Sequence, residues 1–358
     1  MHGVGRFHDA VADHVDGLWP EAIGNDMPRC AVALLVLSMA GCHGSRPPAA
    51  VRTVRVAIHR DPIAFLPIRV AQALGVYQRE DLALDISEVA GGPKAIEALL
   101  GGSVDIAAGS MSDVIALAAE RPDLRGFLVL YTRPMIAVAV APGLRGTVKT
   151  IKDLKGRAVG VTGPGSASHQ ILNYLLVRNG LTPDEVSTVS VGMWASSVAA
   201  LEHRQVDAAV LLGTAISAFE QRWPEHQYLA DTRTPSGARD VFGAEGFPSL
   251  SLLARDKWLR ENEDTARRLV RAVKTGMRWV HDHAPEDVRA MIPPESRMSV
   301  ATDLQAIRQT QEALSTDGVM PPGAADLIAT FLSVADTRVR TAPVDLSTTY
   351  TNDFASMK

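Results

Sequence analysis

The feature that narrows the possible folds furthest is a β-α-β-α-β order that occurs twice. Val54, Val56 and Ile58 alternate with polar or small residues and predict a strand, and Ile68, Val70, Ala71 and Leu74 predict a helix from Pro67 to Tyr77. Residues 82–89 alternate again, 95–100 read as helical and 104–108 as a short buried strand. The order returns with a strand over 158–161 and a helix over 168–177, whose Ile171, Leu172, Leu175 and Leu176 share one face before a stop at Asn179-Gly180. A strand over 187–191, a helix over 197–201 and a buried strand over 206–212 complete it. At an offset of 102, Ala98-Leu99 matches Ala200-Leu201 and Val104-Asp105 matches Val206-Asp207, while Gly75 and Glu80 match Gly180 and Glu185 at 105. Strands joined through helices run parallel with helices on both faces. The expected fold is α/β, two doubly wound lobes.

Two segments can connect the lobes, a strand-like run from Tyr131 to Pro142 and a Gly/Pro/Ser-rich stretch from Asp231 to Phe247. Lobe 1 is then expected over 51–135 plus 246–358 and lobe 2 over 136–245. Residues 250–254 predict a further buried strand. Asn262 is placed to cap a helix over 263–281, and Thr182-Pro183-Asp184-Glu185 has the form of a helix-starting capping box. Helices over about 300–315 and 324–335 are expected to buttress lobe 1.

The length of 358 residues suggests about two domains. Lys+Arg of 36 against Asp+Glu of 40 offers no basic excess for a phosphate backbone, so nucleic acid is not an expected partner. The whole net charge of −4 is accounted for by residues 1–26, with Asp9, Asp13, Asp16, Glu21 and Asp26 against Arg6. An acidic leader does not suit export, whereas Met27-Pro28-Arg29 followed by the apolar run Cys30–Gly41 does, so translation is expected to start at Met27 with a signal peptide over 27–41. The run is too short for a membrane span of about 20 residues. Met39-Ala40-Gly41-Cys42 resembles a bacterial lipobox, which implies lipidation of the Cys42 thiol and a Pro-rich tether over 43–50. Two cysteines, neither in a CxxC, cannot make a tetrahedral zinc site without histidines at suitable spacing.

Several segments carry a family likeness: GVYQREDLALDISEVAGGPKAIEALLGGSVDIAAGS, IKDLKGRAVGVTGPGSASHQILNYLLVRNGL, ALEHRQVDAAVL and the terminal TYTNDF. In their order and spacing, over about 51–354, the chain resembles the periplasmic substrate-binding components of ABC importers of the nitrate, sulfonate, taurine and thiamine-precursor type. The resemblance implies a type II periplasmic-binding-protein-like fold closing on a ligand in the cleft between the lobes. It implies a lipid-anchored monomer outside the membrane, with a small polar or anionic ligand and an ABC permease as partners, and no cofactor. Where the family often has an acidic residue and a proline, this chain reads Leu212-Gly213-Thr214-Ala215. Eukaryotic thiamine-pyrimidine synthases also resemble this family, but they carry a cysteine-rich motif that residues 42–358 lack; an enzyme of that kind, or a ligand-sensing ectodomain, is the alternative.

Ligands of open α/β sheets bind at strand carboxyl ends, near helix N-termini. Four such places supply candidate ligand-binding residues: Asp61 and Phe65; Ser110 and Met111; Gly165, Ser166, Ala167 and Ser168 in GPGSASH; and Trp194 with Thr214. GPGSASH follows a strand and opens a helix, so its N–H groups and hydroxyls suit an oxyanion, and Phe65 and Trp194 suit cleft walls. No GxSxG, HExxH or Cys-His pattern points to catalysis, and His281 and His283 lack the i, i+4 metal spacing. No catalytic residue and no metal ligand is expected.

Overall fold

The computed structural model describes residues 51–335 and 344–357. The expected leader, signal peptide, Cys42 lipidation site and tether lie outside the described residues.

The strands form two five-stranded sheets of the same design. The first contains β1 (Arg52–His59), β2 (Leu82–Val89), β3 (Ile106–Ser110) and β4 (Leu124–Val129). The second contains β5 (Ile136–Val140), β6 (Ala158–Val161), β7 (Ser187–Ser190), β8 (Ala208–Leu212) and β9 (Tyr228–Asp231). The tenth strand, β10 (Leu250–Arg255), returns to the first sheet. The orders are β2-β1-β3-β10-β4 and β7-β6-β8-β5-β9. In each sheet the fourth strand is antiparallel to both neighbours and arrives by a crossover from the other half of the chain.

The repeated Val-Asp pair has a repeated job. Asp105 accepts the Arg55 backbone N–H at 3.0 Å and the Arg55 guanidinium at 2.7 Å. Asp207 accepts the Ala158 N–H at 3.2 Å and lies 3.9 Å from the Arg157 guanidinium. Each aspartate ties the entry of one strand to its parallel neighbour, β3 to β1 and β8 to β6.

The crossovers bond to each other. Phe247 and Ser249 donate backbone N–H groups to Thr132 and Tyr131 carbonyls at 2.8 and 3.1 Å, and the Thr232 hydroxyl donates to Pro134 at 2.7 Å.

Four expectations differ from the structure. The helix expected over 67–77 is two helices, Leu66–Ala73 and Val76–Arg79, because Gly75 takes a left-handed φ of 65°. The Thr182–Glu185 capping box forms, yet it starts only the 3-10 turn Pro183–Glu185, since the chain must extend into β7 two residues later. Asn262 does not cap with its side chain; its amide donates to the Trp258 carbonyl at 3.1 Å, and its own carbonyl accepts the Ala266 N–H. The C-terminal helices serve both lobes. Val300–Ala313 packs against Thr214–Arg222 of the second lobe, and Ala324–Ala335 packs against Ala167–Arg178 of the second lobe and Met111–Leu117 of the first. The Ala324–Ala335 helix is apolar on more than one face, with Ala325, Ile328, Phe331 and Leu332 all buried, so it needs two partners. Phe331 closes an aromatic cluster with Tyr174 at 4.8 Å and Phe247 at 5.2 Å. Among the described residues, no helix is long and apolar enough to cross a membrane.

Candidate functional site

A cavity of about 330 Å³ lies between the two sheets, a size suited to a small organic molecule. Helix starts converge on it. The first lobe contributes Gly91 and Gly92 at the start of Gly92–Leu100, and Ser110 and Ser112 at the start of Met111–Leu117. The second lobe contributes Ser166, Ala167 and Ser168 at Ala167–Arg178, Met193 just before Ala195–Glu202, and Gly213 capping Thr214–Arg222. The first N–H groups of each helix lack intrahelical acceptors, so these ends present donors.

Asp61 is 3% exposed and lines the cavity. Its Oδ1 accepts the Ile63 and Ala64 N–H groups at 2.8 and 2.9 Å, closing an Asx turn. Its Oδ2 accepts the Trp194 Nε1–H at 3.2 Å, from the other lobe. A second bond crosses the cleft where the Ser112 hydroxyl donates to Gln170 Oε1 at 2.9 Å. Ser110 Oγ is 2.9 Å from Ser112 Oγ, and because the Ser112 hydrogen is spent on Gln170, Ser110 is the donor of that pair.

GPGSASH holds a directed relay. The Ser166 hydroxyl donates to the Gly163 carbonyl at 2.7 Å, so the 2.8 Å contact between Ser166 and Ser168 is donated by Ser168. The 2.9 Å contact between Ser168 and Thr162 is then donated by Thr162. Ser168 Oγ also accepts the Thr162 N–H at 2.9 Å, and Ser166 Oγ accepts the His169 N–H at 3.3 Å. These hydroxyl hydrogens are spent within the loop, and the serines act as caps. The outward donors expected of Ser166 and Ser168 are thus reduced to the backbone N–H groups at the helix start.

Asp61, Ser110, Ser166, Ala167 and Ser168 line the cavity. Phe65, expected as a cleft wall, lies in the lobe 1 core at 0% exposure, edge-on to His59 at 4.6 Å; it directly precedes the Leu66–Ala73 helix, whose apolar face is buried. Met111 is likewise buried, with its side chain filling the space over Gly126. Gly165 makes a turn at φ 73° and donates its N–H to His169 Nδ1 at 3.0 Å. Thr214 is 1% exposed with an unpartnered buried Oγ1, behind the cavity wall rather than in it. Trp194 touches the site through Asp61, on a backbone with φ 56° and ψ −126°, a conformation most side chains avoid.

Several lining residues escaped the sequence reading. His59 ends β1, and its buried Nδ1 has no partner; burial lowers its pKa, with the Asp61 charge opposing, so the imidazole is neutral. Burial raises the Tyr131 phenol, with the Asp61 charge adding to the effect, and its hydroxyl donates to the Ala64 carbonyl at 2.9 Å. Asp113 is pushed up to about 7 by burial, with the Ser110 N–H opposing. Its signal was its place three residues after the helix-capping Ser110. Met135, Phe247 and Phe331 add apolar surface from the crossovers and the C-terminal helix, where periodicity carries no cleft signal. Among the described residues, no group of three His, Cys, Asp or Glu side chains could hold a metal ion.

The backbone at Gly213 leaves no room for a side chain. A Cβ at Gly213 would lie 2.9 Å from Asp61 Oδ2, and Gly213 has a φ of 50°. Any side chain there would meet the Asp61 carboxylate.

Among solved structures, a Bordetella bronchiseptica RB50 protein superposes with a TM-score of 0.78 at 30% identity, covering 86% of this chain and 96% of that one. The alkanesulfonate-binding protein SsuA of Xanthomonas axonopodis pv. citri, bound to MOPS, superposes with a TM-score of 0.65 at 19% identity, covering 85% and 99%. Among curated proteins, the Bacillus subtilis (strain 168) protein named as a binding protein, YtlA, is 24% identical over 258 residues, 68% of this chain and 70% of its own length. The 4-amino-5-hydroxymethyl-2-methylpyrimidine phosphate synthase of Schizosaccharomyces pombe is 24% identical over 216 residues, 58% and 59%. Those likenesses accord with the two-sheet architecture, and the family model described as NMT1/THI5 like matches residues 63–287. The chain belongs to the NMT1/THI5-like family, built on the periplasmic-binding-protein fold.

Proposed function

We propose that this protein is a solute-binding receptor of an ABC importer, held outside the membrane by a lipid on Cys42, that closes its two lobes on a small ligand and presents the closed form to a permease. The observation that carries the reading is the cavity of about 330 Å³ with walls from both lobes. Its rim is bridged by Asp61–Trp194 and Ser112–Gln170, so closure and ligand enclosure are one event. The solved structure and the curated relative named as binding proteins support it.

A thermal-shift screen of residues 51–358 with nitrate, alkanesulfonates, taurine, aminopyrimidines and simple amines tests the reading. At least one compound should raise the melting temperature by several degrees, as ligand binding to the folded state alone requires. A flat screen overturns it. Cys42→Ser in the exported full chain should release the protein from the membrane fraction; retention in that fraction, with the signal still cleaved, overturns the anchor.

The Schizosaccharomyces pombe synthase favours a second reading, an enzyme acting on a pyrimidine precursor in the same cavity. Mass spectrometry of the ligand after incubation separates the two, because a receptor returns it unchanged.

A further inference from the structure

We infer that the cleft is built for a compact ligand that bears N–H donors and no net negative charge, such as an organic amine or amidine, and that Asp113 is its recognition carboxylate. This inference rests on the solute-binding reading and names the ligand class of the same cavity.

Three observations agree. The first is charge. Two carboxylates, Asp61 and Asp113, line the cavity, and among the described residues neither forms an ion pair. Among the described residues, Lys94 is the one lysine or arginine in the lining, and its side chain is 62% exposed and paired with Glu97 at 2.7 Å. An oxyanion would face two acids with no cation committed to it, whereas a protonated nitrogen would find a partner.

The second is the direction of the hydroxyl groups. Ser110 donates to Ser112, Ser112 to Gln170, and Tyr131 to the Ala64 carbonyl. Thr162 donates to Ser168, Ser168 to Ser166 and Ser166 to the Gly163 carbonyl. Each hydroxyl has a single hydrogen, so these six are spent on the protein, and what remains for a ligand, as at Thr162 Oγ1, is lone pairs. A ligand that only accepts finds backbone N–H groups at the helix starts and the Gln170 Nε2 amide, and nothing from these hydroxyls. A ligand that donates finds the Asp113 carboxylate and the Thr162 oxygen.

The third is the remaining wall. Ile63, Met135, Ile171, Met193, Phe247 and Phe331 form an apolar surface for a hydrocarbon or ring body. A small, fully hydrated ion such as nitrate would leave that wall unused.

Asp61 is a weaker choice for the contact residue, because its oxygens already accept three N–H groups. Asp113 has its carboxylate beside Gly92, at the mouth of a second helix start.

The experiment is a set of calorimetric titrations at pH 8 and low salt, using benzylamine and benzamidine against benzenesulfonate and nitrate. Wild type and Asp113→Asn are compared, with circular dichroism confirming that the variant is folded. The amine or amidine should bind and the anions should not, and Asp113→Asn should weaken binding at least tenfold. Binding of benzenesulfonate or nitrate in preference to both nitrogen bases overturns the inference while supporting the solute-binding reading. Equal affinity of wild type and Asp113→Asn for the nitrogen bases overturns the role of Asp113. Silence of both nitrogen bases overturns the ligand class, and a flat screen of all the compounds named above removes the solute-binding reading with it.

Discussion

Trp194 Nε1 donates to Asp61 Oδ2 at 3.2 Å, joining residues 133 positions apart and on opposite lobes. The donor sits on a strained backbone and the acceptor is almost wholly buried, so the bond is held in place by its surroundings on both sides. Trp194→Phe keeps most of the ring and removes the N–H. It should stay folded and bind ligand about 10- to 150-fold more weakly, because one hydrogen bond to a charged acceptor contributes about 1.5–3 kcal/mol to the closed state. Titration calorimetry reads this directly. Affinity within twofold of wild type would show that the bond is incidental to closure.

Gly213→Ala tests the same corner by bulk. The added Cβ would meet Asp61 Oδ2 at 2.9 Å and would sit at a φ of 50°. A loss of about 1–3 kcal/mol in urea unfolding is expected, together with weakened binding. Gly146→Ala is the control, since its Cβ would meet nothing within 4 Å and it lies outside the cavity lining.

Ser168→Ala removes an oxygen that accepts the Thr162 N–H and hydroxyl and donates to Ser166, at 0% exposure. The Thr162 N–H then has no acceptor, so stability should fall by about 1–3 kcal/mol. The variant should lose stability in ligand-free protein, which chemical denaturation without ligand measures. An effect seen only with ligand present would mean that the hydroxyl faces outward.

The Asp113 carboxyl makes stability depend on pH in a defined direction. Its folded value of about 7 lies above the ordinary 3.8, so folding favours the protonated form. That contribution is complete below about pH 4 and declines as pH rises through 7, by at most about 4 kcal/mol at 1.36 kcal/mol per unit, and by less for a side chain that faces a cleft. Asp113→Asn should therefore gain stability relative to wild type between pH 4 and 7 and hold that gain above it. Paired urea melts at pH 4, 5.5, 7 and 8 check the slope; a difference that does not change with pH would mean that the carboxyl stays well solvated.

Phe331→Ala should cost about 3–5 kcal/mol, because the ring is buried between lobes against Tyr174 and Phe247. Since its helix packs on both lobes, thermal unfolding should lose cooperativity and separate into two transitions, visible by calorimetry.

Local patterning in the sequence was enough for the elements and their order. Leu82–Val89, Ala158–Val161 and Ala324–Ala335 match their expected bounds, because alternation or a one-sided apolar face survives any packing that buries it. The repeat of Val104-Asp105 as Val206-Asp207 also indicated two similar halves, since each aspartate ties a strand entry through contacts nearby in the sheet. Breaks set by a single backbone angle were not legible. Gly75 splits a helix whose apolar spacing runs straight through it, and Pro183–Glu185 stops after one turn although its cap is complete. The cleft was legible only as a list of strand ends. Which side chains face it depends on contacts made from 58 to 133 residues away, such as Ser112 with Gln170 and Trp194 with Asp61. Phe65 and Met111 occupy such loops and turn inward, whereas Phe247 and Phe331 come from a crossover and a terminal helix and turn toward the cavity. The sequence by itself determined the two-lobed α/β plan, through periodicity and repetition. The tertiary structure alone decided the direction of each hydroxyl, the room at Gly213 and the isolation of Asp113, because each is a relation between segments that meet only when both lobes and the C-terminal helices pack together.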